Sequence, residues 1–241
     1  MTPPLRESTT VAIVGGGVSG LTAAALLRSC GIDSIVLERQ TRAHVEQRQR
    51  AGLVEHRAVR MFEQWGLGDV LQGFPANNFL EIRVDGRSRL LAEDLPGLET
   101  AGKAVPQQAL VRGLIAALLA DGGDLRFEVP DVGLRQLGTS RPVATYTDQD
   151  GLAHEIECDF VAGCDGDRGV SAASVPADAL TVHTYDYGVW WLTVLADAPA
   201  PKHELMTAGE RGFAAQFARG PKASPLLPAL PAGGYGRGLA A

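Results

Sequence analysis

The sequence predicts an α/β fold whose first part is a parallel sheet with crossover helices. Three observations carry this. Residues 11–14 (Val-Ala-Ile-Val) form an apolar, β-branched-rich run, as in a strand buried on both faces. Residues 18–28 are rich in Ala and Leu and hold no proline, and Gly31 follows, as in a helix closed by a glycine at its C′ position. Residues 35–37 (Ile-Val-Leu) form a second apolar run that ends at Glu38. Strand, glycine turn, helix and strand within about thirty residues make a βαβ unit, whose crossover is expected to be right-handed.

The later elements follow from the same rules. Residues 55–65 place Ala58, Val59, Phe62 and Trp65 at helical spacing, with Gly66 as the stop. Residues 79–85 alternate as a strand, and Asp85-Gly86 is a hairpin turn into a partner strand around Leu90 and Leu91. Residues 107–119 read as a helix ended by Asp121-Gly122-Gly123. Residues 126–129, 143–147 and 155–158 read as strands around the Asp150-Gly151 turn. An apolar strand over 160–164 leads into Asp165-Gly166, and a further strand covers 189–196. From Pro221 onward there are four prolines, much Gly, Ala and Leu, and no acidic residue. That tail, 221–241, is expected to be irregular.

Composition narrows the function classes. The chain has 241 residues, 45% of them apolar, enough for a real core. Its formal net charge of -6 argues against nucleic acid as the main partner. Three cysteines (Cys30, Cys158, Cys164) without a C-x-x-C spacing suggest neither disulfides nor zinc, and a reduced, cytoplasmic setting is expected. The five histidines are scattered, so no metal is assigned. The start lacks a secretory signal pattern, and the apolar run at 21–27 is broken by Arg28, far short of a membrane span.

Gly15-Gly16-Gly17-Val18-Ser19-Gly20 is G-x-G-x-x-G between a strand and a helix. Gly15 permits the sharp turn, Gly17 lets a pyrophosphate approach the backbone, and Gly20 lets helix and strand pack closely. The helix N-terminus offers free N–H groups and a partial positive charge. Glu38, twenty-three residues after Gly15, stands where a carboxylate accepts hydrogen bonds from ribose hydroxyls. Together these predict a Rossmann-like dinucleotide site and leave FAD and NAD open. Between Glu38 and Arg60 there are six arginines and three glutamates, a surplus of three positive charges. Arginine suits phosphate because its planar fork donates two parallel hydrogen bonds, yet an ordinary solvated loop reads the same way. On the residues alone, Asp165-Gly166 is a strand-ending turn, Arg219 a surface arginine, and Trp190 and Trp191 sheet packing.

Residues 11–39, VAIVGGGVSGLTAAALLRSCGIDSIVLER, resemble the N-terminus of flavoprotein aromatic hydroxylases. Residues 39–56, RQTRAHVEQRQRAGLVEH, resemble the para-hydroxybenzoate hydroxylase branch of that family. So do Val105-Pro106-Gln107-Gln108, residues 160–176 (FVAGCDGDRGVSAASVP, with its C-D-G motif) and residues 202–219 (KHELMTAGERGFAAQFAR). The resemblance implies an FAD-binding domain over 1–180 with a β-hairpin insertion around 75–105, then a partial substrate domain over 181–220. It implies that Gly15, Gly17, Ser19, Gly20 and Glu38 hold the ADP part of FAD. Arg39 is counted with the cofactor residues. Arg48, Arg50, Ala51 and Gly52 would line the flavin site with Gln107 nearby, and Asp165 would serve both FAD and NADPH. Arg39, Arg42 and Arg168 would meet NADPH phosphates, and Arg219 a substrate carboxylate. The implied reaction is NADPH- and oxygen-dependent hydroxylation of a small phenolic acid, in aromatic compound catabolism. A homodimer is allowed.

Thr207 stands where this branch places a substrate-contacting tyrosine, and Phe217 where it places a serine two residues before the carboxylate-binding arginine. A different aromatic acid or phenol is therefore expected. The family's later G-D motif and the rest of its substrate domain have no counterpart here. Residues 224–229, SPLLPA, can be read from codons for Ser-Arg-Phe-Tyr-Leu-Gln with one inserted base, so a truncated or frameshifted gene is expected, with little activity from this chain alone. Two other readings stay open: another FAD oxidoreductase of the same fold, and a nucleotide-binding remnant without catalysis.

Overall fold

The chain runs through β1 (Leu5–Val14), α1 (Val18–Ser29), β2 (Ser34–Leu37), α2 (Arg42–Gln47), β3 (Leu53–Val54) and α3 (His56–Gln64). There follow β4 (Ala76–Asn77), β5 (Phe79–Val84), β6 (Arg87–Ala92), β7 (Gly102–Ala104), α4 (Gln107–Ala120), β8 (Asp124–Arg126), β9 (Gly133–Arg135), β10 (Val143–Thr147) and β11 (Ala153–Gly163). The last elements are α5 (Val170–Ser174), β12 (Val189–Trp191), β13 (Val194–Asp197), β14 (Glu204–Gly209), β15 (Gly212–Gln216) and β16 (Ala223–Pro231). The computed structural model describes residues 3–48, 52–77, 79–92, 102–197, 203–210, 212–217 and 223–231. No described helix is long and apolar enough to cross a membrane.

Three helices end as their glycines dictate. After α1, Gly31 takes φ +71° and donates to Arg28 O, while Ile32 N–H reaches Leu27 O. After α3, Gly66 (φ +73°) donates to Glu63 O and Leu67 to Phe62 O. After α4, Gly122 (φ +74°) donates to Leu119 O and Gly123 to Leu118 O. Each is a Schellman closure, in which a left-handed residue turns two N–H groups back onto orphan carbonyls. The Asp85-Gly86 turn has positive φ at both positions, as a two-residue hairpin with right-handed strand twist needs.

The residues divide into two units. The first comprises Met1–Ala51, Phe62–Gln72 and Pro106–Thr181. Its six-stranded sheet has the order β8-β2-β1-β11-β10-β9. The first four strands run parallel, and β10 and β9 are antiparallel additions. The crossovers from β1 to β2 and from β2 to β8 step in the same direction. Right-handed connections therefore put α1 and α4 on one face, where they pack together. On the other face Ala12, Ile35, Leu37, Ala144, Tyr146, Ile156 and Cys158 form a buried cluster with Val129. The strands expected over 155–158 and 160–164 are one strand, β11. Asp159 and Phe160, adjacent and both exposed, mark where its inward-facing side changes.

The second unit comprises Gly52–Met61, Gly73–Val105 and Val182–Ala241. Its larger sheet has the order β12-β16-β15-β14-β5-β6, with β13 also on β16. A small sheet, β3-β7-β4, stands apart from it. Three expectations are corrected here. The hairpin of β5 and β6, expected as an insertion in the first domain, joins the second unit's sheet because β5 pairs in parallel with β14. The tail, expected to be irregular from 221, carries a nine-residue strand over 223–231. Composition misled because Pro225, Pro228 and Pro231 each lack a donor. A strand turns successive N–H groups to opposite sides, so the intervening residues still pair β16 with β15 on one side and β12 and β13 on the other. The single strand expected over 189–196 is accordingly split into β12 and β13.

Candidate dinucleotide site

The register of β1 with its neighbours builds the site. Val14 pairs with Leu37 on one side and Gly163 on the other, so the loops after β1 and β11 leave the sheet side by side. The sheet is extended in opposite directions from β1, through β2 by way of α1 and through β11 on the other flank. That is the switch point where parallel α/β sheets open a crevice at their carboxyl ends. Gly15 N–H donates to Leu37 O at 2.8 Å, and Cys164 N–H to Val14 O at 2.7 Å.

The glycines divide their labour by geometry. Gly15 has φ +107°, and a Cβ there would stand 2.4 Å from Cys164 O. A Cβ on Gly20 would stand 1.9 Å from Gly15 O, so the first turn of α1 touches the loop backbone directly. At Gly17 a Cβ would meet nothing within 4 Å. The loop is thus filled where it meets protein and open at its middle glycine, a cradle that a phosphate group fits. The first α-helical bond of α1 is Leu21 N–H to Gly17 O, so the amides of residues 18–20 have no acceptor within the helix. No acidic residue lies in its first turn and no side chain caps it. Ser19 is exposed there.

Glu38 lies over the same loop. Gly16 N–H donates to its Oε2 at 2.7 Å and Gln40 N–H to its Oε1 at 2.8 Å. A Cβ on Gly16 would come within 2.9 Å of the Glu38 side chain, so the second glycine of the motif makes room for the carboxylate. Sequence reasoning passed over Gly16, since the motif admits any residue at that place.

The other expected residues are placed less directly. Arg39 and Arg48 are exposed. Arg42 pairs with Glu46 at 2.6 Å along α2, which Thr41 caps by accepting from His44 N–H. Gly52 is half-buried before β3, and Gln107 is the first residue of α4 and also half-buried. Asp165 N lies 2.9 Å from where a Gly15 Cβ would be, so its backbone belongs to the crevice. Its carboxylate accepts from Ser171 N–H at 3.0 Å, at the start of α5. Gly169 is required beside it, because a Cβ there would stand 2.0 Å from Asp165 Cγ. Arg168 is fully exposed, with Asp167 at 4.0 Å. Arg50, Ala51 and Arg219 lie outside the described residues. Burial pushes the thiol of Cys164 up from its ordinary value.

Comparison with known proteins agrees with this geometry. The profile of the family described as "FAD binding domain" matches residues 8–227. The p-hydroxybenzoate hydroxylase of Acinetobacter baylyi is 37% identical over 212 residues, covering 86% of this chain and 51% of that protein. A 3-(3-hydroxy-phenyl)propionate/3-hydroxycinnamic acid hydroxylase of Burkholderia cenocepacia is 29% identical over 174 residues, covering 68% of this chain and 30% of that protein. The chain spans about half the length of the first of these relatives and less of the second. Among solved structures, Pseudomonas aeruginosa PqsL in complex with 2-aminobenzoylacetate shares the fold at a TM-score of 0.78 and 19% identity, over 93% of this chain and 61% of that one. The p-nitrophenol 4-monooxygenase PnpA of Pseudomonas putida does so at 0.79 and 15%, over 93% and 58%. The glycine loop, the carboxylate above it and these matches together establish that the chain belongs to the FAD-binding domain family of flavin-dependent monooxygenases.

Proposed function

We propose that residues 15–20 and Glu38 hold the ADP half of FAD, and that the protein this chain represents hydroxylates a phenolic aromatic acid with NADPH and oxygen. The observation that carries the first part is the open approach at Gly17 beside three helix-start amides, with a carboxylate anchored on Gly16. The amides of residues 18–20 would bind the diphosphate, with the helix dipole adding a partial positive charge. Glu38 would exchange its backbone partners, or share them, for the ribose hydroxyls. Arg48, Arg50, Ala51, Gly52 and Gln107 would face the isoalloxazine end. Asp165, by holding α5 in place, would shape the crevice through its backbone rather than its carboxylate. Arg39, Arg42 and Arg168 remain the candidates for NADPH phosphates, Arg42 after release from Glu46, and Arg219 for a substrate carboxylate.

When bound, the flavin supplies hydride acceptance from NADPH and the activation of oxygen. The residues of this chain bind, orient and exclude water. The reading of the substrate class rests on similarity to hydroxylases that act on phenolic acids. Thr207 stands where that branch has a substrate-contacting tyrosine, and Phe217 where it has a serine two residues before the carboxylate-binding arginine, which favours an acid other than p-hydroxybenzoate.

Two measurements test this in sequence. FAD added to the purified chain should be retained through gel filtration with its yellow absorbance, and Glu38→Ala should weaken retention by tenfold or more, about 1.4 kcal/mol. Absence of retained flavin in the unaltered protein would end the binding claim. NADPH consumption is then screened against a panel of phenolic acids. Stimulation by one of them with formation of a hydroxylated product supports the hydroxylase reading, and flavin binding without any stimulated turnover favours a nucleotide-binding chain without catalysis.

A further inference from the structure

From the contacts of β8 we infer that Arg126 is a positioning residue for the adenosine site, acting through Glu38. The inference rests on the proposed ADP site. Arg126 closes β8, and its carbonyl accepts the Glu38 N–H at 2.8 Å. The chain beyond it continues the grip. Val129 N–H donates to Glu38 O at 3.0 Å, and Glu128 N–H donates to Gln40 O at 3.0 Å. Glu128 does so from φ +60°, a left-handed conformation that is uncommon for a non-glycine residue. The segment 126–129 therefore holds the backbone of residues 38–40. Those residues in turn place the carboxylate, since Gln40 N–H binds Glu38 Oε1.

The side chain of Arg126 is what anchors this segment. Its guanidinium has five N–H donors, and five contacts receive them. Nη1 donates to Glu7 Oε1 and to the Tyr146 hydroxyl, both at 2.8 Å. Nη2 donates to Glu7 Oε2 and to Asp124 Oδ2, both at 2.7 Å. Nε donates to Asp124 Oδ1 at 3.0 Å. The partners are themselves held. His154 stacks on Tyr146 with centroids 4.4 Å apart, and its ring nitrogens lie 3.2 Å from Glu7 Oε1 and 2.8 Å from Asp148 Oδ2. The fork is thus locked between β1, β8 and β10, and β8 cannot slide along β2 without breaking several charged hydrogen bonds at once. A fork bound on both edges fixes orientation as well as position, which a lysine ammonium does not do.

The test measures ribose recognition rather than stability. ADP and 2′,3′-dideoxy-ADP are titrated calorimetrically into the full chain and into Arg126→Met, with circular dichroism confirming that the variant is folded. The unaltered chain should prefer ADP by about tenfold, the worth of one well-placed hydrogen-bonded carboxylate. In Arg126→Met the preference should fall to about twofold or less, while affinity for the dideoxy compound changes little. Equal weakening of both ligands with the preference intact would show a merely structural role and overturn the inference. If Arg126→Met fails to fold, Glu7→Gln, which keeps the shape and loses the charge, is read by the same ratio, and an unchanged ratio there overturns it too. Binding of neither ligand by the unaltered chain would reject the ADP site itself, and equal binding of both would reject Glu38 as the ribose partner. Either result takes the inference with it and is distinct from a failure of Arg126 alone.

Discussion

The two units solve the burial of a sheet in opposite ways. In the first, Ile13, Leu21, Leu114, Ile115 and Ile156 are all fully buried. In the larger sheet of the second, Ala215 is the buried side chain among those described, while Val84, Leu90, Leu91, Val189, Trp191 and Val194 are exposed. A parallel connection must return across the sheet, and the helix that carries it back covers a face. The βαβ unit therefore encodes its own cover within a short stretch. A sheet made mainly of antiparallel pairs brings no helix with it, and its apolar face depends on other layers. Stability should accordingly be concentrated in the first unit, and substitutions can test that division.

The largest effect is expected at the glycine loop. Gly15→Ala combines an unfavourable φ with a 2.4 Å approach to Cys164 O, and denaturant unfolding should show a loss on the order of 4 kcal/mol. A loss below about 1 kcal/mol would mean that the loop adapts and the crevice is not as tightly built as its contacts indicate. Next comes the helix-covered core. Leu114→Ala removes a side chain with 0% exposure and should cost about 3 kcal/mol in the same assay.

A smaller effect depends on pH. Hydrogen bonding from Arg126, first among the causes, lowers the Glu7 carboxyl from 4.5 to about 2. The unfolded chain takes up this proton at the higher pH. The stability Glu7 confers is therefore complete above about pH 4.5 and is lost as the pH falls through that value toward 2. With part of the side chain exposed, solvent screening reduces the gain to on the order of 1 kcal/mol. Melting temperatures recorded between pH 6 and 3 should fall less steeply in Glu7→Gln than in the unaltered chain. The smallest effect is expected in the second unit. Leu90→Ala, at a residue 46% exposed on β6, should change stability by no more than about 0.5 kcal/mol. A cost near that of Leu114→Ala would show that this face is covered in solution and would break the contrast.

Legibility in the sequence follows the same division. The strand, loop, helix and strand over 11–38 are present where hydrophobic pattern and glycine placement put them, and Gly31, Gly66 and Gly122 stop their helices as read. The polar first half of β1 (residues 5–10) gave no apolar signal, because its outward side chains face water and ion pairs such as Arg6–Glu155. The three prolines of β16 suggested an irregular tail, whereas pairing on both sides supplies what local propensity lacks. On the residues alone Asp165 read as part of a strand-ending turn, and the direction of its carboxylate was not legible. That depends on Gly169 and the start of α5, four to six residues on.

By itself, the sequence determined the βαβ unit, its glycine loop and the acid at the end of the second strand, because each depends on sterics and hydrophobic period within a few neighbouring residues. Only the tertiary structure decided that β5 lies on β14, that Arg126 is clamped by Glu7 and Asp124, and that both oxygens of Glu38 are held by backbone amides around the loop. The pairing of β5 with β14, of Arg126 with Glu7 and of Gly16 with Glu38 joins residues far apart in the chain. These contacts form only when the sheet has brought its strands into register, so no local pattern records them.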